Sequence, residues 1–141
     1  MSAGSVEPAT RTEGTNRTML IALILVSVTL AAVAQLTLKH GMNQVTASTG
    51  ALQLTGASLR DVVSTPAVWA GLVLFGLSAF VWLAVLSRAS LSFAYPFASL
   101  TYVIILLADR FLFHETVPPL RWAGVFFIMV GIVLVAQTGK A

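Results

Sequence analysis

The chain contains no cysteine. That excludes disulfides, thiolate metal sites and cysteine nucleophiles, and leaves the redox compartment open. Charge is also scarce: 9% of the 141 residues are Asp, Glu, Lys or Arg, against about 25% in an average soluble domain. So few charges cannot cover a surface that faces water. With 57% of residues hydrophobic, lipid must be the solvent for most of the chain. The 8 basic residues are scattered singly, with no basic patch, which argues against a nucleic-acid partner. The 2 histidines lie far apart, so no His-based metal cluster is expected. No cofactor is called for either. No Ser/His/acid set or phosphate loop stands out, and an enzyme is not expected.

What the chain has instead is four long apolar runs. A bilayer core about 30 Å thick needs roughly 20 apolar residues per helix. Met19 to Leu38, Ala67 to Leu86, Leu91 to Phe113 and Leu120 to Gln137 meet that length. The expected organisation is a polar, disordered tail over 1–18 followed by a four-helix transmembrane domain over 19–138. Short joints around Arg88 and from His114 to Pro119 make neighbouring spans antiparallel, which predicts an all-α up-down four-helix bundle. The only long connection runs from Lys39 to Pro66. Within it Ala51 to Ser64 carries Leu52, Leu54, Leu59, Val62 and Val63, the content of a short helix lying on the membrane surface.

Arg11 and Arg17 precede an apolar run ending Ala32-Val33-Ala34, which has the form of a signal-peptidase site. The length of the run and the three spans after it favour a retained helix. Absolute orientation is not encoded in the cations. Arg11, Arg17, Arg88 and Lys140 fall on one side, and Lys39, Arg60, Arg110 and Arg121 on the other. One fixed orientation set by other cues, dual insertion, and pairing with an oppositely oriented partner all stay open.

Polar side chains inside a span cost free energy, so their placement carries information. Ser92, Tyr95, Ser99, Tyr102 and Asp109 recur at offsets that share one helix face, and Arg88 extends the stripe by one turn. They can wall a cavity or bond to neighbouring helices as packing glue. Pro96 cannot donate to the carbonyl of Ser92, which frees that carbonyl for a ligand, water or a neighbouring helix. In the first span Ser27, Ala31, Gln35 and Lys39 share a face, with Lys39 able to snorkel to the interface. No acidic residue lies near a bilayer midplane. Asp109 comes closest, neutralised by Arg110 only if that side chain reaches around the helix. Gly71, Gly76 and Ser78 suit close packing in the second span. Gly124 and Gly131, seven apart, give the fourth span a small-residue face for a dimer contact or for packing within the monomer. Trp69 and Trp122 read as interfacial anchors; Trp82 lies deeper.

The run Ala94-Tyr95-Pro96, then Ser99-Leu100, His114-Glu115, Val117, Pro119, Trp122 and Gly124-Val125 resembles the four-helix branch of the drug/metabolite transporter superfamily. It is most similar in pattern to the small subunits of the aminoarabinose–undecaprenyl-phosphate flippase. Ala34-Gln35 followed by Lys39 fits the same pattern, as does Trp82. The resemblance covers residues 20–138. It implies a multi-pass transporter of the bacterial inner membrane, working as a homodimer or heterodimer on membrane lipid that bears a sugar through a polyprenyl phosphate. The positions it singles out are Gln35, Lys39, Tyr95, Pro96, His114 and Glu115. The small multidrug resistance family shares the four-helix plan, but the glutamate essential there would fall near Ala31 here. Three functions follow in order of preference: a lipid-linked-sugar flippase, a proton-coupled drug or metabolite exporter using Asp109 or Glu115, and a non-transporting membrane subunit of a larger complex.

Overall fold

The computed structural model describes residues 10–49 and 56–138. They form α1 (Thr10–Thr49), α2 (Gly56–Ser64), α3 (Pro66–Leu86), α4 (Leu91–Ala98), α5 (Leu100–Phe111) and α6 (Pro119–Gln137). Four stretches are long and apolar enough to cross a bilayer: Gly14–Ala47, Pro66–Leu86, Leu91–Phe111 and Pro119–Gln137. The chain is therefore an all-α, four-span membrane protein. Proline opens both α3 and α6, where its missing N–H would have had no helical partner anyway.

The first helix departs from expectation at both ends. At 40 residues and 1.5 Å per residue it is about 60 Å long, twice the thickness of a hydrocarbon core. Residues 10–18, expected to be disordered, are its first turns, and residues 39–49 prolong it past Lys39. Extending a helix adds one hydrogen bond per residue without a new nucleus, so polar residues continue what the apolar run starts. Their side chains fold back onto the helix. Thr18 Oγ1 donates to the Gly14 carbonyl at 3.0 Å, and Thr46 Oγ1 to that of Met42 at 2.9 Å. The Ala32-Val33-Ala34 segment is mid-helix, with Ala32 and Ala34 fully buried. Residues 1–9 lie outside the described residues. So do residues 51–55, the first part of the expected surface helix; its remainder is α2.

The core joins α1, α3, α4 and α6. Leu20, Ile24 and Val28 recur every four residues along α1 and meet Val85, Phe93, Ala94, Phe97 and Ile132. Nearby, α1 and α3 form a close seam. Ser27 Oγ donates to the Ser78 carbonyl at 3.0 Å, and Ser78 Oγ returns to the Ser27 carbonyl at 2.9 Å. Each hydroxyl is satisfied without water, as a membrane interior requires. Gly71 lies so near α1 that a Cβ there would stand 2.6 Å from Leu38 Cγ and 3.1 Å from the Ala34 carbonyl oxygen. Gly41 is similarly tight, 3.1 Å from Val68 Cγ2. Gly76, expected to pack as well, faces open space.

The third span is two half-helices, α4 and α5, broken at Ser99. Pro96 supplies no N–H to Ser92, and the chain tightens into a turn with Ser99 N–H on the Pro96 carbonyl at 3.2 Å. The Ser99 hydroxyl also donates to that carbonyl. Ser99 thus helps close the break. Arg88 sits in the turn between α3 and α4, so the helical stripe begins at Ser92 instead.

Only the C-terminal half of α6 packs on the core, through Ile128, Ile132, Val135 and Ala136. The Arg17 guanidinium donates to the Ala136 carbonyl. The N-terminal half stands out toward lipid, with Leu120 82% and Phe127 71% exposed.

Candidate functional site

α1 packs closely against both α3 and α5, whereas among the described residues no Cα of α3 lies within 8 Å of one of α5. A strip of α1 between the two contacts is therefore left uncovered. Helical periodicity tells which residues occupy it. Ala34 and Leu38 face α3, Lys39 faces α5, and Gln35 lies between these directions and is exposed. The result is a furrow floored by α1 and walled by α3 and α5.

Toward one end of the bundle two aromatic rings meet. Trp82 on α3 meets Tyr95 on α4 edge to face, with centroids 6.2 Å apart and planes at 73°. Trp82 is half-buried against the core, while Tyr95 is 59% exposed. Tyr102 lies two turns before Asp109, on the same α5 face, and is also exposed.

The other end is charged. Lys39 Nζ sits 2.7 Å from Asp109 Oδ1 and 2.8 Å from Glu115 Oε1, and 4.6 Å above the centre of the Phe113 ring. The ammonium thus binds the end of α5, the loop after it and an aromatic face together. A lone charge here would be costly to desolvate, and pairing offsets that cost; the ring quadrupole adds a further attraction. From the sequence, Arg110 could neutralise Asp109 only by reaching around the helix. Asp109 pairs instead with a lysine 70 positions away, because α1 passes directly beside the C-terminus of α5 while Arg110 points out, exposed.

Glu115 reaches this cluster through an unusual backbone turn. Leu112 N–H bonds the Ala108 carbonyl at 2.7 Å and Phe113 N–H the same carbonyl at 3.2 Å. His114 then adopts φ 52°, the one positive φ among the described non-glycine residues. The chain reverses, and Glu115 N–H closes onto the Asp109 carbonyl at 2.9 Å. The two carboxylates come to lie side by side. The His114 ring itself is exposed and takes no part in the cluster.

Of the residues expected to act, the structure brings Lys39, Asp109 and Glu115 together in one cluster and Trp82 together with Tyr95; Gln35 stands one turn from Lys39, and Tyr102 two turns before Asp109 on its face of α5. Pro96 and Ser99 form the break between α4 and α5. Arg88 is set apart at the opposite end of the bundle, its guanidinium 3.8 Å from Met19 Sδ. Gly124 and Gly131 face open space. Phe113 escaped notice, being one of 8 phenylalanines with nothing in its neighbourhood to mark it.

Four antiparallel spans, the third of them broken, define a small multi-pass α-helical membrane protein. The chain is 45% identical over 74 residues to the probable 4-amino-4-deoxy-L-arabinose-phosphoundecaprenol flippase subunit ArnE of Escherichia coli (strain 55989 / EAEC), covering 51% of this chain and 67% of that protein. It is 42% identical over 73 residues to the protein of that name from Pseudomonas fluorescens (strain Pf0-1), covering 52% and 64%. The corresponding protein of Pseudomonas savastanoi pv. phaseolicola (strain 1448A / Race 6) is 40% identical over 65 residues, covering 46% and 57%. The chain belongs to the family of the ArnE flippase subunits and is a multi-pass inner-membrane protein. The matches span about two thirds of the relatives' length or less and about half of this chain, a shorter reach than residues 20–138. No protein-family profile matches the chain, and no solved structure does.

Proposed function

We propose that the chain is one subunit of a flippase that moves a polyprenyl-phosphate-linked sugar between leaflets of the inner membrane. One observation supports this reading: Lys39, Asp109 and Glu115 gather their charges at one end of the bundle, while Gln35, Tyr95 and Tyr102, the polar groups proposed to line the path, carry only amide, hydroxyl and aromatic groups. A sugar can exchange hydrogen bonds with Gln35 and Tyr102 and stack on Tyr95 while its isoprenoid tail stays in lipid. No buried carboxylate is needed for such passage. Arg88 at one end and Lys39 at the other are the cations that would receive the phosphate on either side. Because Lys39 already holds two carboxylates, the phosphate has to compete for it.

The furrow is open on its lipid side, and the N-terminal half of α6 is bare. A second four-helix subunit, identical or similar, meeting this chain through Gly124 and Gly131, would complete the path. A proton-coupled exporter would have to use Asp109 or Glu115, and both are paired with Lys39.

The test is reconstitution in liposomes with a labelled polyprenyl-phosphate sugar, alone and with a candidate partner subunit, following arrival on the far leaflet. Lys39→Ala and Arg88→Ala should each slow translocation by about tenfold, as loss of one charge-assisted contact implies, with the folded fraction little changed. A drug-dependent proton flux without lipid movement would establish the exporter instead.

A further inference from the structure

We infer that His114 is a positioning residue: its left-handed backbone, not its imidazole, delivers Glu115 to Lys39, and the resulting three-charge contact latches one mouth of the furrow. The inference builds on the flippase reading but rests on separate geometry. The latch joins α1, the end of α5 and the loop leading to α6 through ion pairs of 2.7 and 2.8 Å. α5 is linked to α4 only through the Pro96–Ser99 turn, which replaces regular helix with a joint. Among the described residues no Cα of α5 lies within 8 Å of one of α3. α5 lies packed on α1 and meets α6, with Leu106 and Ala108 buried, and the latch fastens the C-terminal end of this half-helix at the mouth of the furrow.

The latch has its present shape only if residue 114 holds φ near 52°. There the Glu115 N–H reaches the Asp109 carbonyl and the second carboxylate comes up beside the first. In the ordinary right-handed or extended conformations the chain would leave α5 in another direction, and Glu115 would be carried away from Lys39. Histidine tolerates the left-handed region better than most residues, glycine adopts it freely, and β-branched residues avoid it. The His114 ring is exposed and outside the cluster, so deleting the ring while keeping the backbone should leave the latch intact.

The absence of cysteine makes the test direct. Gln35→Cys would place a single thiol in the furrow, one turn from Lys39. Its reaction with a membrane-impermeant maleimide is followed from each face of sealed vesicles, without substrate. Glu115→Gln, which removes one arm of the latch, should speed labelling from the Lys39 face roughly two- to fivefold, the range an ion pair of this exposure gives. His114→Val should match it, His114→Ala should fall between, and His114→Gly should label no faster than the parent. Equal rates for His114→Gly and His114→Ala, both ringless, would overturn the backbone role. An unchanged rate in Glu115→Gln would overturn the latch. Faster labelling of His114→Val from both faces would mark unfolding; the Gly and Ala pair then decides alone. Since no substrate is present, these results are independent of whether the reconstituted protein flips lipid.

Discussion

The α1–α3 seam and the exposed face of α6 both carry small residues in apolar helices, yet only the seam is filled. Gly71 admits Leu38 so closely that a Cβ would stand 2.6 Å from its Cγ, while a Cβ at Gly124 or Gly131 meets nothing within 4 Å. Two serines in the seam exchange hydrogen bonds, whereas α6, on a side turned away from Gly124 and Gly131, also carries a shallow apolar groove lined by Phe126, Met129, Val130, Val133 and Leu134. Lipid tails are as apolar as leucine, so in a membrane the hydrophobic effect does not separate the two faces. Fit does. The seam is a finished helix pair, and the face of α6 is a surface still to be covered by lipid or by another subunit.

The sharpest way to break the contrast is to fill the seam. Gly71→Val puts two methyl groups where even a Cβ collides with Leu38 and crowds the Ala34 carbonyl. Overpacking of this kind costs about 3 kcal/mol. The midpoint of unfolding in detergent should fall accordingly, while Gly76→Val on the same helix, facing open space, should leave it nearly unchanged. Equal loss at both positions would mean that helix propensity, and not the seam, governs.

A second intervention acts on the break in the third span. Pro96→Ala restores an N–H that can bond the Ser92 carbonyl and rejoin α4 to α5. Stability should rise by about 1 kcal/mol and transport should slow, the trade expected where function needs a flexible element. Unfolding midpoint and lipid translocation measured on one preparation would show it. A faster transporter with a continuous third span would remove the break from the mechanism.

The parts legible in the sequence are those fixed by local composition. Apolar runs define the spans because bilayer thickness sets their length, and Pro96 announces a broken helix because its missing donor is a property of one residue. The length of α1 was not legible, since its polar ends look like tail and loop until helix continuation is weighed. The latch was less legible still. Lys39, Asp109 and Glu115 each read as a rim charge, but only the passage of α1 beside the end of α5 joins them. The role of His114 lies in a dihedral angle, for which a histidine letter gives no sign. Gly71, Gly124 and Gly131 read alike as small residues, although one is packed and two are open.

Within the seam a smaller effect is expected from the serine pair. Ser27→Ala or Ser78→Ala removes one of two reciprocal bonds and leaves the other, since each hydroxyl donates to the opposite backbone carbonyl. Hydrogen bonds between membrane helices average about 0.6 kcal/mol. Each single change should cost that much in unfolding, and the double change about twice as much. A double change costing far more would show that the pair acts as a unit.

The smallest effect on the monomer, and the most telling one, belongs to α6. Gly124→Leu and Gly131→Leu add bulk where nothing within 4 Å opposes it. The monomer should keep its unfolding midpoint to within about 0.5 kcal/mol. If a second subunit approaches along this face, the same bulk holds the two helices apart and association should weaken by at least about tenfold, equivalent to about 1.4 kcal/mol. Energy transfer between labelled copies in liposomes, read beside the unfolding midpoint, separates these quantities. Association retained in both variants would mean that lipid alone covers this face, and that any partner meets the furrow from its open side between α3 and α5.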